Sequence, residues 1–348
     1  MPAPDGIPPL SHPLRVALRA VVRERYPIRG GFTISRGSKR EAEVVVAELL
    51  GETPDGRIVR GRGECLPYAR YGETVAEVAA AIEAQARNIA DGMDRLILQQ
   101  EMAAGAARNA LDCAFWDLEA KASLTPVWKL AGLPRPPEPV ATAFTLSLDT
   151  ADRMGDAARS ASAMPLLKLK LGGGSEDFGR VAAVRRNAPD ARIIVDANEA
   201  WTIDQLAALA PRLSALGVAL IEQPLPADND DALAMFNSPA PLGADESCHG
   251  IDSLARLKGL YQVVNIKLDK TGGLTGALRL KAAAESAGFG IMVGCMVATS
   301  LAMAPAFLLA QGAAFADLDG PLLLERDRED GIAYDGAWMQ GPSAALWG

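Results

Sequence analysis

Residues 165–172 read PLLKLKLG, and residues 192–199 read RIIVDANE. Successive side chains of a β-strand leave opposite faces. In the first stretch Leu167, Leu169 and Leu171 therefore share one face, and Leu166, Lys168 and Lys170 share the other. Two lysines on a strand's inner face are costly unless they are used. In the second stretch the same alternation groups Ile194, Asp196 and Asn198. Six more short apolar runs follow the pattern: ATAFTLSL (141–148), VALIEQPL (218–225), PLGADES (241–247), VVNIKLD (263–269), GIMVGCM (290–296) and FADLDG (315–320). Between them lie helical patterns such as FGRVAAVRRNA (178–188), IDQLAALAPRLSALG (203–217) and LTGALRLKAAAESAG (274–288). Strand–helix alternation implies parallel strands joined by crossover helices. Eight such units close into a modified (β/α)8 barrel of the TIM type, expected over residues 135–320.

Upstream, LRVALRAVV (14–22), AEVVVAELL (42–50) and RIVRGRGEC (57–65) read as strands, the last two separated by the turn residues Pro54, Asp55 and Gly56. From Thr74 to about Leu133 the text is helical. Ala107, Ala110, Leu111, Ala114, Phe115 and Leu118 recur at three- and four-residue steps. An α+β capping domain over residues 1–134 is expected, ending in the proline-rich linker LPRPPEPV (133–140). The tail, 321–348, is expected to pack back on that domain and complete it.

The 348 residues are 49% hydrophobic and 22% charged, an ordinary globular balance that buries a large core without staples. A net charge of −8 argues against nucleic acid or an anionic membrane as a partner. Cys65, Cys113, Cys248 and Cys295 form no CxxC pair, so neither a zinc site nor a disulfide framework is indicated, and reduced thiols in the cytoplasm are the simplest reading. MPAPDGIPPLSHPLR at the N-terminus has no apolar run of the signal-peptide kind. LAMAPAFLLA (301–310) is too short to span a membrane and contains Pro305. His12 and His249 are the only histidines, so acid–base chemistry falls to Lys, Asp, Glu, Tyr or Cys.

Lys170, Asp196, Glu222, Asp245 and Lys267 follow one another at steps of 26, 26, 23 and 22 residues, about one β/α unit each. Each should occupy an equivalent place at the C-terminal mouth, where barrel enzymes keep their sites. Asp196, Glu222 and Asp245, on consecutive strands, can converge on one hard cation, and oxygen ligands suit Mg2+. Strands two and six stand opposite in a ring of eight. Lys170 and Lys267 then flank a substrate from two faces, the geometry for taking an α-proton from one side and returning one to the other, while the metal stabilises the developing charge. Lys168 adds positive charge beside Lys170, and a lysine base must be partly neutral near pH 7.

These blocks, KLK (168–170), DANEAW from Asp196, EQPLP from Glu222, ADESCHG from Ala244 and NIKLDKTGGLTGAL from Asn265, resemble the enolase superfamily, muconate-lactonizing subgroup. Together with ECLPYARYGET, AGAARNALDCAFWDLEAK and FADLDGP, they look most like its L-Ala-D/L-Glu (dipeptide) epimerases. A lysine base working with magnesium is the known pattern of that superfamily, so the mechanism here is implied by the resemblance. It implies one Mg2+ per subunit on Asp196, Glu222 and Asp245. Lys170 and Lys267 become the acid–base pair, working through an enediolate, and Lys168 helps neutralise the substrate carboxylate. Asp317 and Asp319 would hold the dipeptide's amino group, since a cationic terminus needs anionic partners. Arg36, in FTISRG, would meet a substrate carboxylate from the cap, or stand as a solvated loop arginine. The implied partner is a small dipeptide, with peptidoglycan peptide recycling as the setting. A homo-oligomer is compatible with it.

Several features read otherwise. Lys270 rivals Lys267 but falls after the strand, where parity does not force it inward. Gly172, Gly173 and Gly174 lack the GxxxxGK[ST] pattern of a phosphate loop, and GRGEC lacks the dinucleotide fingerprint. His249 reads as a loop residue near the site, and Cys295 and Met296 as pocket lining. N-succinylamino acid racemisation, o-succinylbenzoate synthesis and lactone formation are runner-up reactions on the same residues. A non-catalytic metabolite-binding barrel is the alternative of another class.

Overall fold

A computed structural model describes residues 14–348. His12 and most of the stretch read against a signal peptide lie outside the described residues. The described chain opens with an antiparallel sheet of β1 (Arg15–Ile34), β2 (Gly37–Glu52) and β3 (Ile58–Cys65). A long helix, Ala106–Ser123, crosses it. The approach is close enough to require glycine in β3. A Cβ on Gly61 would lie 2.2 Å from the carbonyl oxygen of Ala114, and one on Gly63 would lie 2.1 Å from that of Ala110. That is the physical meaning of the GRG in GRGEC. The helix's Ala107, Ala110, Leu111, Ala114, Phe115 and Leu118 form a core with Val45, Ala47 and Leu49 of β2.

After β4 (Val140–Ala141) come eight parallel strands: β5 (Phe144–Leu146), β6 (Leu166–Lys170), β7 (Arg192–Asp196), β8 (Val218–Glu222), β9 (Leu242–Ala244), β10 (Val263–Ile266), β11 (Gly290–Gly294) and β12 (Phe315–Asp317). They neighbour one another in sequence order. The first and last meet where the amide of Ala143 donates to the carbonyl of Ala316 at 2.8 Å. The result is a nearly closed (β/α)8 barrel. Leu166 and Ile194, which the alternation groups with the lysines and Asp196, form one interior cluster with Ala143, Leu220, Val263, Met292 and Phe315. Leu167, Leu169, Leu171, Val264 and Ile266 face the helices in the main core.

The tail carries β13 (Tyr334–Asp335) and β14 (Trp338–Met339), and β14 pairs with β4. At its end the Trp347 Nε1–H donates to the carbonyl of Cys113 at 2.9 Å, on the long helix. The run 301–310 lies in a buried helix, Ser300–Leu309. Among the described residues no helix is long and apolar enough to cross a membrane.

Candidate active site

Strand register sets the ring. Lys170 pairs with Asp196, Asp196 with Glu222, and Glu222 with Gly243, two residues before Asp245. All these charged groups are buried. Lys170 Nζ lies 2.6 Å from Asp196 Oδ2, and Lys267 Nζ lies 2.6 Å from Asp245 Oδ2. Lys168 Nζ is 2.7 Å from Asp317 Oδ2, 2.7 Å from Glu222 Oε2 and 3.3 Å from Asp196 Oδ2, so its charge is answered three times. Burial works against the charge of Asp196, yet Lys170 and Lys168 hold its pKa down to about 2. Asp245 is likewise buried and is held well below the carboxylate range by Lys267 and Lys270. Glu222 goes the other way: burial and the nearby Asp196 push it to about 7.

Asp317 and Asp319 sit at the end of the closing strand, where β5 meets β12. The Thr145 amide donates to Asp319 Oδ2 at 2.6 Å, and the Thr145 hydroxyl donates to Asp317 Oδ1 at 3.5 Å. Burial and the neighbouring Asp317 raise Asp319 to about 7. Both line a cavity of about 660 Å³ together with Lys170, Lys267, Asn198 and Arg36. Arg36, at the β1–β2 hairpin tip, donates to Glu246 Oε1 at 2.7 Å, Glu199 Oε2 at 3.1 Å, the Tyr68 hydroxyl at 3.1 Å and the carbonyl of Asn198 at 2.9 Å. The cap thus touches the barrel mouth through this arginine, which stays partly exposed to solvent. Arg70 adds a bidentate pair to Glu199 at 2.8 Å. Both arginines hold a strained turn, for Asn198 and Glu199 have φ of 45° and 68°, positions that cost about 1–3 kcal/mol each.

Sequence reading misses Glu246 and Tyr71 and leaves the direction of Lys270 open. Glu246 follows Asp245, so strict alternation points it outward. β9 ends at Ala244, however, and beyond a strand parity lapses. Lys270 is buried and donates to Asp245 Oδ1 at 2.7 Å, the Asp245 carbonyl at 2.5 Å and the Asn265 carbonyl at 3.0 Å. It supports Asp245 from below, and the signal was its i, i+3 spacing from Lys267 across the turn Leu268–Thr271. Tyr71 lines the cavity beside His249, with ring centres 4.8 Å apart.

Among the described residues no three carboxylate, imidazole or thiol groups already surround one point. The donor chemistry nevertheless fits a hard cation. Buried Glu222 Oε2, Asn198 Oδ1, Glu246 Oε2 and Asn265 Oδ1 lack hydrogen-bond partners. Glu222 Oε2 meets Lys168 Nζ only as an ion contact, which leaves a lone pair unmet. Unpaired buried oxygens are costly, and a cation coordinated by oxygens would offset that cost.

Comparison with known families places this arrangement. Residues 151–334 match the "Enolase C-terminal domain-like" model, and residues 17–132 match the "Mandelate racemase / muconate lactonizing enzyme, N-terminal domain" model. The chain belongs to the enolase superfamily. It is 47% identical to the L-Ala-D/L-Glu epimerase of Escherichia coli, with 90% of this chain and 96% of that protein aligned. It is also 47% identical to an N-acetyl-D-glutamate racemase of Pseudoalteromonas, over 83% and 91%. A crystal structure of an enolase family member from Agrobacterium tumefaciens, with homology to dipeptide epimerases and with bound sodium and L-Ala-L-Glu, superimposes with a TM-score of 0.91. Its identity is 49%, covering 96% of this chain and all of the other. Epimerases and racemases are isomerases, and it is this class that the superfamily member described here joins.

Proposed function

We propose that this chain is a magnesium-dependent dipeptide epimerase that inverts the α-carbon of the C-terminal residue, with L-Ala-D/L-Glu as substrate. The observation that carries the reading is the pair of buried lysines at the C-terminal ends of opposite strands, Lys170 closing β6 and Lys267 just past β10, each against a carboxylate of its own. Asp196, Glu222 and Asp245 would hold the metal, which when bound supplies positive charge to the substrate's carboxylate. One lysine, neutral, accepts the α-proton on its face, and the other, protonated, donates from the opposite face. Lys168 contributes positive charge near the same carboxylate. Asp317 and Asp319 bind the ammonium group, a charge-assisted contact that a substrate without a free amine does not make. Arg36 reaches the side-chain carboxylate from the cap by exchanging it for Glu246. In this reading residues 1–134 and 321–348 cover the site and residues 135–320 carry the chemistry.

The test is proton NMR in heavy water with L-Ala-D-Glu and magnesium. Loss of the glutamate α-proton signal with growth of the L-Ala-L-Glu diastereomer is expected, and chelation should stop both. The Pseudoalteromonas relative favours one second reading, an N-acylamino acid racemase. Faster exchange on N-acetyl-D-glutamate than on L-Ala-D-Glu, unaffected by Asp319→Ala, would replace the first reading with the second.

A further inference from the structure

On the long helix Ala106–Ser123, the side chains Arg108, Asn109, Asp112 and Trp116 are spaced to share one face. That face lies on residues 269–275 of the barrel. Asn109 Nδ2 donates to Asp269 Oδ1 at 2.7 Å, and the same oxygen accepts from the Leu66 amide at 3.1 Å. Arg108 donates to the carbonyl of Thr271 at 2.8 Å and to that of Gly272 at 3.2 Å. Asp112 Oδ2 accepts from the amide of Thr275, in the first turn of the helix Leu274–Ser286, at 2.9 Å. Trp116 Nε1 donates to Thr275 Oγ1 at 2.9 Å. Asn109, Asp112, Trp116, Asp269, Thr271 and Thr275 are all buried. The fit leaves no room for side chains at Gly272 and Gly273. A Cβ there would come 2.3 Å from Arg108 Nε and 2.4 Å from Asp112 Oδ2, and both residues have positive φ.

This segment starts at the second acid–base lysine. Lys170 is the last residue of β6 and is held by its ladder to β7. Lys267 lies one residue past β10 and opens the single turn Leu268–Thr271. Its backbone is therefore fixed less by the sheet than by whatever holds Asp269 and Thr271. We propose that Asn109 and Asp269 are positioning residues for Lys267: the capping helix splints the turn that carries this lysine and does not splint Lys170. The inference rests on the two-lysine reading above.

The two lysines serve opposite epimers, so the splint makes an asymmetric prediction. Initial rates of α-proton loss in heavy water are measured separately from L-Ala-D-Glu and L-Ala-L-Glu, with magnesium-loaded protein. Asp269→Ala should slow exchange from one epimer at least about 10-fold more than from the other, since a misplacement of about an ångström costs on the order of 100-fold. The slowed epimer should be the one whose exchange Lys267→Met abolishes. Asp269→Asn keeps an oxygen for both donors and should retain the wild-type ratio. The ratio is independent of the folded fraction. Should Asp269→Ala not fold, Asn109→Ala, which leaves Asp269 the Leu66 amide, answers the same question. Equal slowing of both epimers, or no slowing of either, overturns the proposal. Wild-type protein that exchanges neither epimer would remove the two-lysine reading itself, and this inference with it.

Discussion

Replacing Arg328 by Met should destabilise the protein by about 3–5 kcal/mol at pH 8 and by much less at pH 5. Arg328, from the tail, donates to Glu64 Oε2 at 2.6 Å from Nη2 and at 3.1 Å from Nε, to Thr299 Oγ1 at 2.7 Å and to Glu24 Oε2 at 2.5 Å. Glu64, on β3, is buried and accepts also from the Thr299 amide at 2.9 Å. The methionine leaves this carboxylate buried without its cation, and breaking a buried pair from one side costs about 3–5 kcal/mol. Burial already raises the pKa of Glu64, and Arg328 is the largest force opposing it. Without the arginine the folded-state value rises further, so the carboxyl escapes part of the cost by taking a proton. A folded-state pKa above the unfolded one contributes stability below the unfolded value and loses it as pH rises. The deficit of the variant should therefore grow from pH 5 to pH 8. Urea titrations across that range measure it, and Glu64→Gln in the Arg328→Met background should recover most of it at pH 8. A cost below about 1 kcal/mol, or one that does not change with pH, would refute the argument. Function is linked, because Thr299 caps the helix after the pocket residues Cys295, Met296 and Val297.

Asp112, fully buried, has a pKa raised to about 6, mainly by burial, so wild-type stability should fall by about 2 kcal/mol between pH 4 and pH 6 on its account; Asp112→Asn should flatten that slope in urea titrations, and an unchanged slope would contradict it. Leu220→Ala, inside the barrel, should cost about 3–5 kcal/mol in the same assay. Gly63→Ala forces β3 off the long helix and should cost at least as much, read as loss of soluble folded protein by circular dichroism. Adding magnesium at about 100 times its Kd should stabilise the protein by about 2.7 kcal/mol, and chelator should reverse the shift in thermal midpoint; no shift would count against the metal reading.

Legibility in the sequence followed the range of the forces involved. The alternation of PLLKLKLG and RIIVDANE is local, and it groups Lys168, Lys170 and Asp196 on the inner face, where the structure also brings them together. Glu246 and Lys270 lie just past strand ends, where period-two reasoning no longer holds and a turn decides direction. The long helix was read from its apolar stripe alone. Asn109 and Asp112 sit on the opposite side, which in an isolated amphipathic helix faces water. Here it is buried against the barrel, through contacts about 160 residues away in the chain. Arg328 and Glu64 pair across 264 residues, beyond any local pattern.

The charges at the mouth also bear on the choice between the two substrates. Asp196, Glu222, Asp245, Glu246, Asp317 and Asp319 face Lys168, Lys170, Lys267, Lys270 and Arg36, all but Arg36 buried. The proton transfer proposed above needs one lysine neutral; at pH 8, above the raised values of Glu222 and Asp319, the carboxylates then exceed the cations by two. A bound dication would balance that excess. L-Ala-Glu, with two carboxylates and one ammonium, carries a net charge of −1 and would leave one excess negative charge. N-acetylglutamate carries −2 and would leave two, with Asp317 and Asp319 facing an uncharged amide. Uncompensated buried charge is costly. On this count the site should prefer the dipeptide, and removing one carboxylate by Asp319→Asn should narrow or reverse the preference. Relative kcat/KM for L-Ala-D-Glu and N-acetyl-D-glutamate, measured on both proteins at one ionic strength, decides it. A wild-type enzyme that favours the N-acetyl compound, or a ratio that Asp319→Asn leaves unmoved, would show that net charge does not set specificity here.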